Sequence, residues 1–180
     1  RLARMLLRAR ELEAEGLTGI VADAAFLVAL LEEDLRGSER LSVLFHRRQG
    51  ALRQGAARWF ERLGVRASSP QGQWLGLLCA LAWPDRIGKL RSGSRYQLSG
   101  GVSCDLVEGH PCQGQGAIVA VEMGQNERGS RIFIAEPVAL DELVRQPPEL
   151  GSGRQWFDWD ERGERVRAAR LQVIGARAPG

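Results

Sequence analysis

Residues 80–101 read ALAWPDRIGKLRSGSRYQLSGG, and the fold turns on how this stretch is divided. An apolar run with helical spacing, Trp74 to Ala82, must stop before Pro84, because the residue ahead of a proline is pushed out of the α region. A strand-like RYQLS follows at 95–99 and ends on Gly100 and Gly101. Between the two, Arg86, Lys89, Arg91 and Arg95 place four cations within ten residues. Helices are expected before this break and strands after it, which makes an α+β chain.

Upstream, the apolar positions recur at helical spacing. Leu2, Met5, Leu6, Ala9 and Leu12 define a first helix that Gly16 would end, and Ile20, Ala24, Leu27, Val28 and Leu31 define a second. RGS at 36–38 breaks the pattern, and Ser38 is placed to cap a third helix holding Leu41, Leu44 and Phe45. A fourth is expected from about Ala51 to Leu63. Short connections between amphipathic helices imply an antiparallel bundle over residues 1–64. GVRASSPQG at 64–72 is linker-like, so 65–84 reads as a linker and connecting helix.

Downstream, RYQLS, VSCDLV, AIVAVEM and RIFIAEPV are short β-rich runs between glycine-containing turns. With no long helix among them, residues 85–150 should form a small antiparallel barrel or sandwich. LDELVRQ at 140–146 reads as a helical turn before Pro147 and Pro148. RQWFDWD and ERVRAARLQVI, within 151–180, read as two further strands.

Composition narrows the function classes. The chain has 180 residues, of which 44% are hydrophobic, enough for a real core and against wholesale disorder. No apolar stretch approaches the roughly 18 to 20 residues of a membrane span. The start, RLARMLLRAR, has no signal-peptide pattern and opens inside a helical pattern, so it reads as a piece cut from a longer protein. Three cysteines without a C-x-x-C pair fit a reducing, cytoplasmic location. All the basic residues except Lys89 are arginine, a planar fork suited to phosphate. Net charge is only +3, but it is unevenly spread. Residues 65–102 carry five basic against one acidic side chain, and residues 103–150 carry three against eight. Such a dipolar surface steers a polyanion to one face.

The segments Ala80–Ile87, Lys89–Arg91, Arg95–Tyr96 and Gly100–Gly101 together resemble the region after the motor in the HrpB family of bacterial DEAH-box ATP-dependent helicases. The opening RLARMLLRARELEAEGL and the tail DERGERVRAARLQVIGA resemble the same family, in order along the chain. Gly116–Ala117 departs from it, standing where the family often has a tryptophan. The resemblance implies a ratchet-like helix bundle, an oligonucleotide-binding (OB) fold and the start of a family-specific C-terminal extension. It implies that these modules help bind and guide single-stranded RNA or DNA alongside RecA-type motor domains in the same polypeptide. ATP and Mg would belong to that motor. No G-x-x-x-x-G-K-[ST] and no DEAH box occurs in the sequence, so this chain is expected to be non-catalytic and to hold no cofactor itself.

The basic break supplies the first nucleic-acid candidates: Arg86, Lys89, Arg91 and Arg95, with Tyr96 as a stacking surface. The structural alternative is that Arg86 pairs with Asp85 or caps the preceding helix and that Tyr96 is core. Weaker candidates are Arg4, Arg8, Arg47, Arg48 and Arg53 on the bundle, and Arg165, Arg167 and Arg170 near the end. Trp74, Trp83, Trp156 and Trp159 read as packing residues. Cys104, His110 and Cys112 lack a fourth ligand nearby, so no metal is expected. His46 and His110 have no nucleophile or orienting carboxylate in reach of the pattern, so no independent catalysis is expected. The competing function is a protein-docking or regulatory OB-like module, whose acidic 103–150 face would bind a basic partner without touching nucleic acid.

Overall fold

The computed structural model describes residues 1–126, 129–140, 143, 155–160 and 165–170. Helices α1 (Leu2–Ala14), α2 (Ile20–Leu31), α3 (Leu41–Leu63) and α4 (Leu75–Ala82) come first, with a two-residue strand, β1 (Glu39–Arg40), just before α3. The stripe Met5, Leu6, Ala9 and Leu12 is buried as expected. α1 ends in a Schellman turn: Gly16, at φ +110°, donates to the Glu13 carbonyl, and the Leu17 N–H reaches back to Leu12. α2 is buried at every position from Ile20 to Leu30 and forms the central post of the bundle.

Two expectations about α3 fail. The third and fourth helices are one helix of 23 residues. Phe45 and Leu52 stand seven residues apart, so their buried stripes are in phase, and Gly50 lies on the exposed side. A single exposed glycine costs about 1 kcal/mol against alanine, too little to break a helix with a continuous buried stripe. Ser38 is not the cap either. Arg40 is the N-cap residue, and the Ser42 N–H is taken at 2.8 Å by Oε2 of Glu136, 94 residues further on. A carboxylate there also complements the positive end of the helix dipole.

The linker-like stretch after α3 is tied down. Asp23, fully buried in α2, accepts the backbone N–H groups of Gln71 (2.7 Å), Gly72 (2.8 Å) and Trp74 (3.1 Å). α4 then runs to Ala82 and gives way to a short 3-10 turn, Pro84–Arg86.

Strands β2 (Ile87–Ser92), β3 (Arg95–Leu98), β4 (Ser103–Leu106), β5 (Ala117–Asn126) and β6 (Gly129–Pro137) follow. β2 is the strand that the sequence did not announce; its cations had marked it as a break. It pairs antiparallel with both β3 and β5. β3 pairs antiparallel with β4, and β5 with β6. β4 and β6 run parallel, with Asp105 opposite Arg131, so the expected all-antiparallel pairing gives way to a mixed sheet. The order β2–β3–β4–β6–β5 returns to β2, closing five strands into a ring. β1 adds in parallel to β6, and β7 (Gln155–Asp160) and β8 (Arg165–Arg170) form a separate antiparallel hairpin, the expected extra strands. Most of 140–146 lies outside the described residues.

The core has two parts. Inside the ring sit Tyr96, Leu98, Cys104, Leu106, Cys112, Ile118, Ala120, Ile132 and Ala135. The helices share their core with Ile87, Val119, Val121 and Ile134. β5 therefore buries alternate residues on opposite sides, which explains why AIVAV is apolar without a break. Among the described residues no helix is long and apolar enough to cross a membrane.

Candidate nucleic-acid interface

The turn that opens the basic segment is a structural joint. The Gly100 N–H bonds the Asp85 carbonyl at 2.9 Å, the Ser99 N–H bonds Ile87 at 2.8 Å, and the Ser99 hydroxyl bonds the Pro84 carbonyl. A Cβ at Gly100 would stand 2.9 Å from the Asp85 oxygen, so only glycine permits this close approach. The Pro-Asp-Arg-Ile and Ser-Gly-Gly segments thus close on each other, bringing the ends of β2 and β3 into register.

Each cation of that segment has its own setting. Arg86 is braced: its Nη1 donates to the Val121 carbonyl at 2.8 Å and its guanidinium lies 5.6 Å from the Trp83 ring centre. Asp85 bonds Arg1, at 3.0 Å, rather than Arg86, so the pairing offered as a structural alternative for Arg86 is not the one formed. Lys89 and Arg91 are exposed and two residues apart on β2, hence on one face. Arg95 joins that face because it alternates with the buried Tyr96 on β3, and a register shift between Leu90 and Ser92 on β2 sets it opposite Ser92. Its Nη2 and Nε fork onto the Asp105 carboxylate at 3.0 and 3.3 Å. That hydrogen-bonded pair raises the Arg95 pKa and holds the Asp105 carboxyl below its ordinary value.

Tyr96 is a correction. Its side chain is 0% exposed in the ring core, and its hydroxyl lies 2.7 Å from the Gln115 carbonyl and 3.1 Å from that of Cys112. Burial pushes its pKa up to about 12. A ring enclosed on all sides offers no face to a base. Among the described residues the exposed aromatic is Phe133 on β6, and neither it nor Arg131 is among the expected contacts. The signal was present: in RIFI, Arg131 and Phe133 alternate with the buried Ile132 and Ile134.

The weaker candidates are dispersed. Arg47 pairs with Glu39 at 3.1 Å, Arg48 with Glu33, and Arg8 with Glu11 and Glu15, while Arg4 and Arg53 are exposed. Arg165 and Arg167 fall on β8 opposite Asp160 and Asp158 in register; their side chains, with those of Arg170, Trp156 and Trp159, lie outside the described residues.

The histidines and cysteines are engaged with the fold. His110 is buried; its Nδ1 accepts the Cys112 N–H at 3.0 Å and its Nε2 lies 3.1 Å from the Phe133 carbonyl. Burial lowers its pKa. Cys79, Cys104 and Cys112 are free and buried, and burial raises the Cys112 thiol to about 12. Glu136 is buried beside them, bonded by Arg40 Nε at 3.2 Å as well as by Ser42, and burial raises its pKa. Among the described residues no three His, Cys, Asp or Glu side chains converge as a metal site.

What the outer face presents, then, is Lys89 and Arg91 on β2, Arg95 and Arg131 on either side of Asp105, and Phe133 two residues beyond Arg131. Comparison with known proteins agrees with the resemblance in the sequence. The chain is 32% identical over 179 residues to the ATP-dependent RNA helicase HrpB of Escherichia coli K12, a match covering 97% of this chain and 21% of that protein. It is similar to HrpB along nearly its whole length. Crystal structures that it matches include the E. coli DExH-box NTPase HrpB, with TM-score 0.69 and 31% identity, and the E. coli DEAH/RHA helicase HrpB, with TM-score 0.67 and 28% identity. Each match covers 93% of this chain and 20% of the other. The chain thus spans about a fifth of the length of the HrpB proteins it matches. No family model matches it.

Proposed function

We propose that this chain is the C-terminal accessory region of an ATP-dependent RNA helicase of the HrpB type. In this reading it helps to bind and guide single-stranded nucleic acid beside RecA-type motor domains of the same polypeptide. ATP and Mg are held and used in that motor, and the whole works in the cytoplasm. Residues 1–64 act as the ratchet-like bundle, 65–84 as the connection, 85–150 as an OB-type barrel and 151–180 as the start of an extension. The five-strand ring supports the barrel assignment, because OB folds are five-stranded Greek-key barrels.

The observation that carries the reading is the row of exposed cations, Lys89, Arg91 and Arg95, on one face of a ring similar to that of an RNA helicase. Cations in line on a strand face track a phosphodiester backbone, and their contribution falls steeply with salt. Arg86 and Tyr96 have roles inside the fold, so the weight rests on the other three.

The test is fluorescence anisotropy of the full chain with a labelled single-stranded RNA of about ten nucleotides, on the scale of OB-fold site sizes. Salt-sensitive binding is expected. Replacing Arg91 and Arg95 together by Ala should weaken it and reduce the slope of log affinity against log salt by about 1 to 2. Absence of RNA binding at low salt would favour the docking reading, in which the acidic 103–150 stretch meets a basic protein partner.

A further inference from the structure

The outward side of β6 holds a feature that the basic segment does not explain. Phe133 is a large apolar side chain left 36% exposed on the outer face of a strand whose neighbours Ile132 and Ile134 are fully buried. Its ring leans over β5 at Gly124, where a Cβ would stand 2.8 Å from ring carbon Cε2. Glycine at 124 is what makes room for the ring on this surface.

Beside it, two guanidinium groups share one carboxylate. Asp105 stands opposite Arg95 in the β3–β4 pair and opposite Arg131 in the β4–β6 pair. It takes the Arg95 fork at 3.0 and 3.3 Å, while Arg131 Nη1 stays at 4.0 Å. The Asp105 side chain is 17% exposed and that of Arg95 is 58% exposed, so solvent and solutes reach the pair from the outside.

We propose that Arg131 and Phe133, with Arg95 across Asp105, take one nucleotide step of a single strand, and that Asp105 is a built-in competitor of its phosphate. The phosphodiester sits on the two guanidinium groups and the base lies against the Phe133 ring. Planar forks match a phosphate as they match a carboxylate, so an incoming phosphate can replace Asp105 on the same donors. An aromatic face accepts any base, provided that the base is unstacked, which a single strand offers and a duplex does not. Asp105 thereby lowers the resting affinity and lets the strand leave. This rests on the nucleic-acid reading above and adds a site, a step and a tuning residue to it.

The test is Asp105→Asn in the full chain, with circular dichroism to confirm folding and anisotropy against the single-stranded RNA. Removing the competitor's charge should tighten binding at low salt by about three- to tenfold, because one further phosphate neutralisation becomes available. If the folded variant binds no tighter than wild type while wild type binds RNA, the proposal is overturned and the broader reading survives. Should neither protein bind RNA at all, the broader reading fails, and this proposal with it. If Asp105→Asn does not fold, Phe133→Leu decides the matter on two probes: the RNA and an abasic oligonucleotide of the same length. A loss of about fivefold confined to the base-bearing strand supports the site. Equal affinity of variant and wild type for both probes overturns it.

Discussion

Asp23 and Asp105 are the same side chain in two regions of the molecule, and they behave oppositely. Asp23 is fully buried in the bundle and its partners are three backbone N–H groups, held in place by the chain itself. Asp105 stands on the outer face of the ring and its partners are side chains, two guanidinium groups on flexible stems and Ser94. Backbone donors cannot turn to another ligand without unmaking the loop, whereas side-chain donors can. A carboxylate of the first kind fixes structure; one of the second kind can be exchanged for a phosphate. The bundle interior and the ring exterior should therefore answer substitution in different measurements.

The largest effect on stability is expected at Asp23. Asp23→Ala leaves three N–H groups of the 71–74 segment without their acceptor and opens a buried space beside α2. A loss of about 3 kcal/mol is expected, since each buried donor left unsatisfied carries a desolvation cost. For a chain of this size that lowers the melting temperature by roughly 10 °C. Urea unfolding checks it, and a loss below about 1 kcal/mol would mean that water substitutes for the carboxylate and that Asp23 is no clamp.

A smaller effect, and one with a definite sign, belongs to His110. Its Nδ1 accepts the Cys112 N–H, which only the neutral imidazole can do, and burial holds its pKa below the ordinary 6.5. A histidine whose folded pKa is depressed contributes stability that is present above its unfolded pKa and lost as the pH falls. The wild type should therefore lose stability between about pH 7 and pH 5 through this group. Glu136 opposes it, because a raised carboxyl pKa favours the folded state as the pH falls. Comparing wild type with His110→Asn separates the two: the variant keeps an acceptor and should lose the acid-side decline. Parallel slopes for the two proteins would show that His110 does not titrate against folding.

Much of this organisation can be read in the sequence, and what cannot has a common cause. α1, α2 and α4 follow from spacing, and β3 to β6 from short β-rich runs between glycines. The missed strand, β2, carries Lys89 and Arg91 on its outer face, and exposed charge hides strand character when only apolar runs are sought. The expected split of α3 overlooks that Phe45 and Leu52, seven residues apart, share one buried stripe. Tyr96 was legible as core, since Arg95 and Gln97 alternate with Tyr96 and Leu98 in a strand with one buried face. The clamps were not. Asp23 meets its partners 48 to 51 residues away and Glu136 caps a helix 94 residues upstream, and no local pattern encodes contacts across such separations. The Asp105 cluster is equally nonlocal, because it depends on β4 lying parallel to β6.

The smallest effect on stability is expected at Phe133, which is why it sharpens the comparison best. The ring is partly exposed and lies over Gly124, so Phe133→Leu should remove little buried area and leave no enclosed cavity. Its cost in urea unfolding should lie within about 0.5 kcal/mol, the range of surface substitutions. Tyr96, the other aromatic of the ring, is enclosed on all sides and has no such freedom. A large aromatic left 36% exposed, and expected to add little to stability, stands there against the tendency of apolar surface to be buried. If Phe133→Leu instead unfolds the chain as readily as Asp23→Ala, the outer face is core in disguise. The contrast between exchangeable and fixed carboxylates would then lose its aromatic half, leaving Asp105 as an ordinary surface ion pair.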